Sequence, residues 1–266
     1  MNPTSTFAVG QFYGARDGRW QSELVTLTLL RHAEARAVPH HAHTHAYLTL
    51  LLEGGYREWA DDQELVYGPL SLVFHPEGFA HHDEIMVAGS RFFMVEIHPD
   101  LLGPDRLADG MRTVRDLSGG AAVWATLRTL EIVRSPHHRL DFEESVTEIL
   151  HELLVPLRSA TRPRWLEPIE AHLRDELREP MSLGALAALA GVHPVHAARV
   201  FRAHHGCTMG TFRHRHRVLH ASHMIAAGSS LAEVAIDCGF FDQSHMTHVF
   251  KSITGFAPVQ LRKLVS

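Results

Sequence analysis

Cysteine is nearly missing from this chain: its 266 residues hold two, Cys207 and Cys238. Neither belongs to a Cys-x-x-Cys pair, which argues against a disulfide framework and a thiolate zinc finger and fits a reducing compartment. Long apolar runs are missing too. The richest stretch, residues 48–52, is interrupted by Thr49 and falls far short of the roughly 18–20 residues a membrane-spanning helix requires. The first residues, MNPTSTFAVGQF, show no basic patch followed by an apolar core, so no secretory signal is read there and a cytoplasmic location is expected. An excess of positive charge is also lacking: 25 Lys and Arg stand against 30 Asp and Glu, for a net of −5. Taken over the whole chain, that balance argues against a partner made of phosphates. Hydrophobic residues make up 45% of the chain, enough for the cores of two ordinary domains. The one surplus is histidine, with 23, whose meaning depends on position.

The charge is unevenly spread. Residues 160–266 carry 12 Lys and Arg against 8 Asp and Glu, a net of +4, which leaves −9 for residues 1–159. Any contact with phosphates is therefore expected in the C-terminal part. The first hundred residues read as short strands at 24–30, 47–52, 65–67, 70–74 and 92–97. Turn formers separate them, among them Gly54-Gly55, Asp61-Asp62, Gly68-Pro69 and Pro76-Glu77-Gly78, the pattern of a barrel or sandwich. After about Asp116 the apolar period becomes helical, at Val123, Leu127, Leu130 and Val133, then at Val146, Ile149, Leu150, Leu153 and Leu154. These two helices pack on the strands or on a second copy of the chain, so a homodimer is an open expectation. The polar stretch 158–163 (RSATRP) reads as a linker between a domain of residues 1–157 and one of residues 164–266. The fold class expected is α+β: an antiparallel barrel with flanking helices, then an all-helical domain.

The helical part contains a repeat. Residues 183–206 (LGALAALAGVHPVHAARVFRAHHG) and 231–255 (LAEVAIDCGFFDQSHMTHVFKSITG) share a skeleton. In each, a Leu lies eight residues before a Gly (Leu183 and Gly191; Leu231 and Gly239), and a Phe-basic pair lies five residues before a closing Gly (Phe201-Arg202 and Gly206; Phe250-Lys251 and Gly255). A short apolar helix, capped by Ser182 or Ser230, ends at a Gly that can turn left-handed. A second helix follows, apolar on one face and polar on the other. That is a helix-turn-helix, over about 182–206 and 230–255, whose second helix fits the major groove of DNA. A connecting helix over residues 211–227 would set the two units about one turn of duplex apart. Helix–Gly–helix is common in all-helical proteins; its duplication with basic residues at the helix ends favours DNA.

Residues 231–263 closely resemble the signature of the AraC/XylS transcription regulators: an apolar helix, the Gly239-Phe240 turn, Asp242 and Ser244, Phe250-Lys251, Thr254-Gly255, Pro258 and Arg262. The first repeat resembles the family's first unit at Leu186-Ala187, Gly191-Val192, Arg199 and Phe201, and departs from it at His193, where the family usually has a capping Ser. Pro194 suits the first helical position, so a weaker cap rather than a lost helix is expected. The resemblance implies base contacts by Val195, Ala198 and Arg199, and by Gln243, Ser244 and His248. Arg202, Arg217, Lys251 and Arg262 read as basic residues that grip phosphates, setting affinity but not sequence choice. Phe201, Phe240 and Phe250 read as core, and the two cysteines as small buried residues.

The histidines concentrate in PHHAHTHAYLTLLLEGGY, from Pro39. On one continuous strand, His41, His43, His45, Tyr47 and Thr49 would face one way and Leu48, Leu50 and Leu52 the other. Two strand histidines with a third from a neighbouring strand, such as His81 in HPEGFAHH, make a three-imidazole metal site possible. His41-x-His43 and Pro76-x-Gly78-x-x-His81 resemble the two motifs of the cupin barrel, which many AraC/XylS regulators carry as a sensor. The resemblance covers roughly residues 20–100 and lacks the cupin Glu: Tyr47 or Leu48 stands there or, in the alternative register His43-x-His45, Thr49 or Leu50. The expectation is a small-molecule pocket around His45, Tyr47 and Thr49, with or without a divalent metal ion on His41, His43 and His81. The remaining His pairs, His137-His138, His204-His205 and His214 with His216, read as surface. A metal-dependent cupin enzyme fused to a DNA-binding domain is the alternative, and a constitutive regulator with a structural barrel a third possibility.

Overall fold

The computed structural model describes residues 5–60, 63–99, 113–134, 139–154, 163–179 and 181–265. The chain divides into two compact units, Met1–Pro156 with Leu264–Ser266, and Leu157–Lys263.

The first unit is built on two sheets. One has the order β1 (Ser5–Phe7), β4 (Arg36–His43), β9 (His81–Ile85), β6 (Tyr56–Ala60), β7 (Gln63–Tyr67). The other has the order β11 (Arg115–Asp116), β8 (Leu72–His75), β5 (Tyr47–Glu53), β10 (Arg91–Ile97), β3 (Val25–Arg31), β2 (Ala15–Gln21). All pairings are antiparallel except β1 with β4. Strand β5 shows the logic: Leu48, Leu50 and Leu52 are wholly buried on one face, while Tyr47 and Leu51 on the other join the cluster of Leu30, Val38, Tyr56, Tyr67, Val73, Ile85, Phe92 and Met94. The five strands expected from apolar runs correspond to β3, β5, β7, β8 and β10. Strands β6 (YREWA) and β9 (HHDEI) had no apolar alternation to reveal them.

Helices α1 (Ala121–Arg134) and α2 (Arg139–Leu154) pack on each other. Thr129 Oγ1 donates to Ser145 Oγ at 2.8 Å, and Arg115 of β11 donates to the Leu153 carbonyl at 2.7 Å. Trp124, Leu127 and Leu130 of α1 are buried within the single chain. Residues 158–162 of the expected linker lie outside the described residues.

The second unit is helical: α3 (Leu166–Asp175), α4 (Leu183–Leu189), α5 (Pro194–His205), α6 (Met209–Ala226), α7 (Leu231–Asp237), α8 (Gln243–Thr254) and α9 (Pro258–Val265). Leu166, Ile169 and Leu173 of α3 pack with Leu186, Ala187, Ala197, Phe201 and Met209. The repeat folds as two helix–turn–helix pairs, α4–α5 and α7–α8, with α6 between them. Local chemistry sets the ends. The Ser182 hydroxyl accepts from the Ala185 N–H at 3.2 Å, Ser230 and Glu233 form a reciprocal capping box, and Asp242 Oδ1 accepts from the His245 N–H at 2.6 Å. His193 caps α5, as the expected weaker cap, its Nδ1 accepting from the Val195 N–H at 3.3 Å. Gly239 is doubly constrained: its φ is +71°, and a Cβ there would lie 2.4 Å from the Leu177 carbonyl oxygen. None of the described helices is long and apolar enough to cross a membrane.

Candidate functional sites: two exposed helices and a buried histidine cavity

Helices α5 and α8 each present a polar face. Val195 and Arg199 are exposed and Ala198 is half-buried, while Ala197 and Phe201 turn into the core. Gln243, Ser244 and His248 are exposed, while Met246 and Phe250 are buried. Arg202 and Lys251, each just after the core Phe, are also exposed. Alternate sides of each helix thus anchor it and offer donors to solvent.

Two of the basic residues expected at phosphates are engaged elsewhere. Arg217 is buried, its Nε and Nη2 donating to the Leu177 carbonyl at 2.9 and 2.6 Å, its guanidinium 5.8 Å from the Phe240 ring centre. Burial, then the charge of Arg213, brings it down to about 10. It ties α6 to the segment before α4. Arg262 is half-buried and donates to the Ser229 carbonyl, holding the chain just after α6. Both cysteines are buried and free.

The helical histidines are not all surface. His205 Nε2 lies 2.8 Å from Glu170 Oε1 across α5 and α3, and His216 lies against Phe212, ring centres 4.5 Å apart. Residues 137 and 138 fall outside the described residues. Burial, then the charges of Arg174 and His205, lowers His216 to about 4. A histidine held neutral in the fold, with an unfolded value near 6.5, binds its proton more readily in the unfolded chain between those values. Its contribution is therefore full above about pH 6.5 and falls as pH drops toward 4. Thermal melts should show a steeper loss of stability over that window in the parent than in His216→Phe; parallel profiles would contradict the assignment.

In the first unit, the two sheets enclose a cavity of about 60 Å³. Its polar lining includes His41 and His43 from β4, His81 and Asp83 from β9, Glu58 from β6, Tyr47 and Thr49 from β5, and His75 from β8. Two features of register assemble it. A bulge between Val38 and His41 breaks the pairing of β4 with β9, so that Val38, His41 and His43 all line the cavity. Beyond it His41 pairs with His81, and Glu58 of β6 pairs with Asp83. The His41 and His81 ring centres are 4.3 Å apart, and those of His41 and His43 5.2 Å. His45 is the exception among the alternating residues. The chain leaves β4 at His43 and turns through residues 44–46 before β5, and His45 Nδ1 lies 2.9 Å from Thr44 Oγ1. It does not line the cavity.

The imidazoles are held in defined states. A carbonyl can only accept, so His41 Nδ1–H donates to Pro39 O at 2.9 Å and His81 Nδ1–H donates to Phe79 O at 3.3 Å. The Nε2 lone pairs are thereby free for other partners, and Tyr47 O–H donates to that of His81 at 3.2 Å. Burial holds His41 below its ordinary value and His81 well below it, and takes His43 to about 3 with help from His41 and His75. All three are neutral at pH 7. Burial, then Glu58, pushes Asp83 well above the usual carboxylate range. His75 Nε2 lies 2.9 Å from Glu58 Oε2. Sequence reasoning missed Asp83, Glu58 and His75. The carboxylates absent from the strand of His41 stand on β9 and β6; only the His-x-Asp spacing of His81 and Asp83 could have pointed to one of them.

A family model described as a helix-turn-helix domain matches residues 186–264. Over 89 residues the chain is 34% identical to the HTH-type transcriptional regulator GlxA of Rhizobium meliloti (strain 1021), covering 33% of this chain and 27% of that protein. The chain thus spans about a quarter of the length of that relative. It is 25% identical over 258 residues to an uncharacterized HTH-type transcriptional regulator, YbfI, of Bacillus subtilis (strain 168), covering 85% of this chain and 90% of that one. Among solved structures, ToxT from Vibrio cholerae superposes with a TM-score of 0.39 at 10% identity, covering 90% of this chain and 97% of that one. Residues 186–264 are thus a helix-turn-helix domain of the kind borne by DNA-binding transcription regulators.

Proposed function

We propose that this chain is a sequence-specific transcription regulator of the AraC/XylS type, reading DNA with α5 and α8 and controlled by a small species bound in a cupin-like first unit. The observation that carries the reading is the duplicated helix pair. In both copies the core Phe is buried while Arg199 and Arg202 of α5, and Gln243, Ser244, His248 and Lys251 of α8, stand exposed. Arg199 can bond O6 and N7 of a guanine together, and Gln243 can bond an adenine in two places. Arg202 and Lys251 suit phosphates, which set affinity and salt dependence rather than sequence choice. Selecting bound sites from random duplex DNA with the full chain tests this. Enrichment of one sequence is expected; recovery of unenriched DNA would sink the reading.

Arg199→Ala is expected to weaken binding to the selected site by about 1–3 kcal/mol and to leave binding to scrambled duplex nearly unchanged. Equal losses on both duplexes would move Arg199 into the phosphate-gripping group.

The enzyme alternative gains from Asp83, which offers the carboxylate missing from the His41 strand. Size weighs against it. Pockets for organic ligands usually span about 300–1,000 Å³, and a cavity of about 60 Å³ leaves no room for an organic substrate beside an ion.

A further inference from the structure

We propose that the effector of the first unit is a divalent first-row transition-metal ion itself, held by His41, His81 and Asp83, and not an organic molecule. The metal site stands on the cavity alone; its regulatory role rests on the reading above.

Four observations carry it. First, one ligand atom from each of His41, His81 and Asp83 lies within 4.8 Å of the others. Ligands about 2.1 Å from a common ion stand some 3–4 Å apart, so a small inward rotation closes the set. Second, both histidines spend Nδ1–H on a backbone carbonyl two residues earlier in the chain, at Pro39 and Phe79. That is the support a metal-bound imidazole ordinarily has, and it leaves Nε2 as the ligand atom.

Third, the cavity holds polar atoms with no partner: Asp83 Oδ1, Glu58 Oε1, His43 Nδ1 and His75 Nδ1. Asp83 Oδ2 stands 3.8 Å from His81 Nε2, too far for a direct hydrogen bond. Buried polar groups are rarely left unsatisfied in native proteins, and a cation between these two atoms would engage both. Fourth, about 60 Å³ holds an ion and one or two waters.

The donors are imidazole and carboxylate without thiolate, a set that suits the series from manganese to zinc rather than softer ions. His43, whose ring centre lies 5.2 Å from that of His41, lines the same cavity but stands outside this three-residue cluster. The Glu58–His75 pair stands behind Asp83.

The test uses the full chain without a polyhistidine tag, stripped with a chelator. It is dialysed against Zn(II), Ni(II), Fe(II) or Mn(II), with Mg(II) as control. Bound metal is counted by mass spectrometry, and affinity for the selected duplex is measured with and without metal. One ion per chain is expected for at least one of the four metals. That ion should be lost in Asp83→Asn and in His81→Ala, and it should change duplex affinity at least tenfold in the parent alone. Asp83→Asn keeps the side-chain volume, so it carries the test where His81→Ala fails to fold. Unchanged stoichiometry in a folded Asp83→Asn would overturn the ligand set. Tight binding with unchanged duplex affinity would overturn the effector role and leave the regulator reading intact. Absence of duplex binding with or without metal would remove the regulator reading and the effector role together, the metal count still deciding the site.

Discussion

In His75→Ala, measured with a chelator present, the first unit is expected to lose about 3–5 kcal/mol, the cost of truncating one partner of a buried, hydrogen-bonded ionisable pair. Glu58 and His75 each expose about 1% of their surface. Glu58 Oε2 has His75 Nε2 at 2.9 Å, while its Oε1 already lacks a partner. Without the imidazole neither carboxylate oxygen keeps a hydrogen-bond partner. The ring also stacks on Tyr47, centres 4.6 Å apart, so its loss opens space as well. For a unit of about 150 residues each kcal/mol moves the melting midpoint by roughly 2–4 °C, so a fall of roughly 6–20 °C should appear by calorimetry. The double replacement Glu58→Met with His75→Phe fills the volume without a lone charge and should recover most of the loss, because apolar substitutes for buried ion pairs are often neutral or stabilising. A double variant as unstable as the single one would show that packing, not the pair, is responsible.

Phe201→Ala is expected to cost the second unit about 3–5 kcal/mol, the usual range for deleting a buried aromatic ring. Phe201 is fully buried among α3, α4 and α6 residues, with ring centres 4.3 Å from His205 and 5.3 Å from Phe212. Domains are stable by only about 5–15 kcal/mol, so the variant should melt at least about 12 °C lower and lose duplex binding with it, since this ring fixes the angle of α5. A well-folded Phe201→Ala with parent stability would mean that α5 is held by something other than this cluster.

The helical repeat was legible because its signals are local. Leu183 and Leu231 lie eight residues before Gly191 and Gly239, Phe201 and Phe250 lie five before Gly206 and Gly255, and Ser182 and Ser230 cap the helices that follow. The histidine cavity was legible only in part. His41, His43 and His81 sit in short spacings that can be read along the chain, whereas Glu58 and Asp83 meet through strand register, which sequence does not display. Strands β6 and β9 hid for the same reason: their inward residues are polar because they line a polar cavity. His45 was misplaced because unbroken alternation took residues 41–49 as one strand, while the chain crosses from one sheet to the other at residues 44–46. Arg217 was misplaced because an arginine buried on a carbonyl looks, in sequence, like any other cation.

Helix α6, with 18 residues, is about 27 Å long and lies in the chain between two helices whose exposed faces differ in composition, Arg199 on α5 and Gln243 with Ser244 on α8, the two faces proposed above to read DNA. A reader built this way has a head and a tail. Its preferred site should be a non-palindromic word with one polarity along the duplex, so that inverting the word beside a promoter would turn the bound protein around and present its opposite end to the transcription machinery.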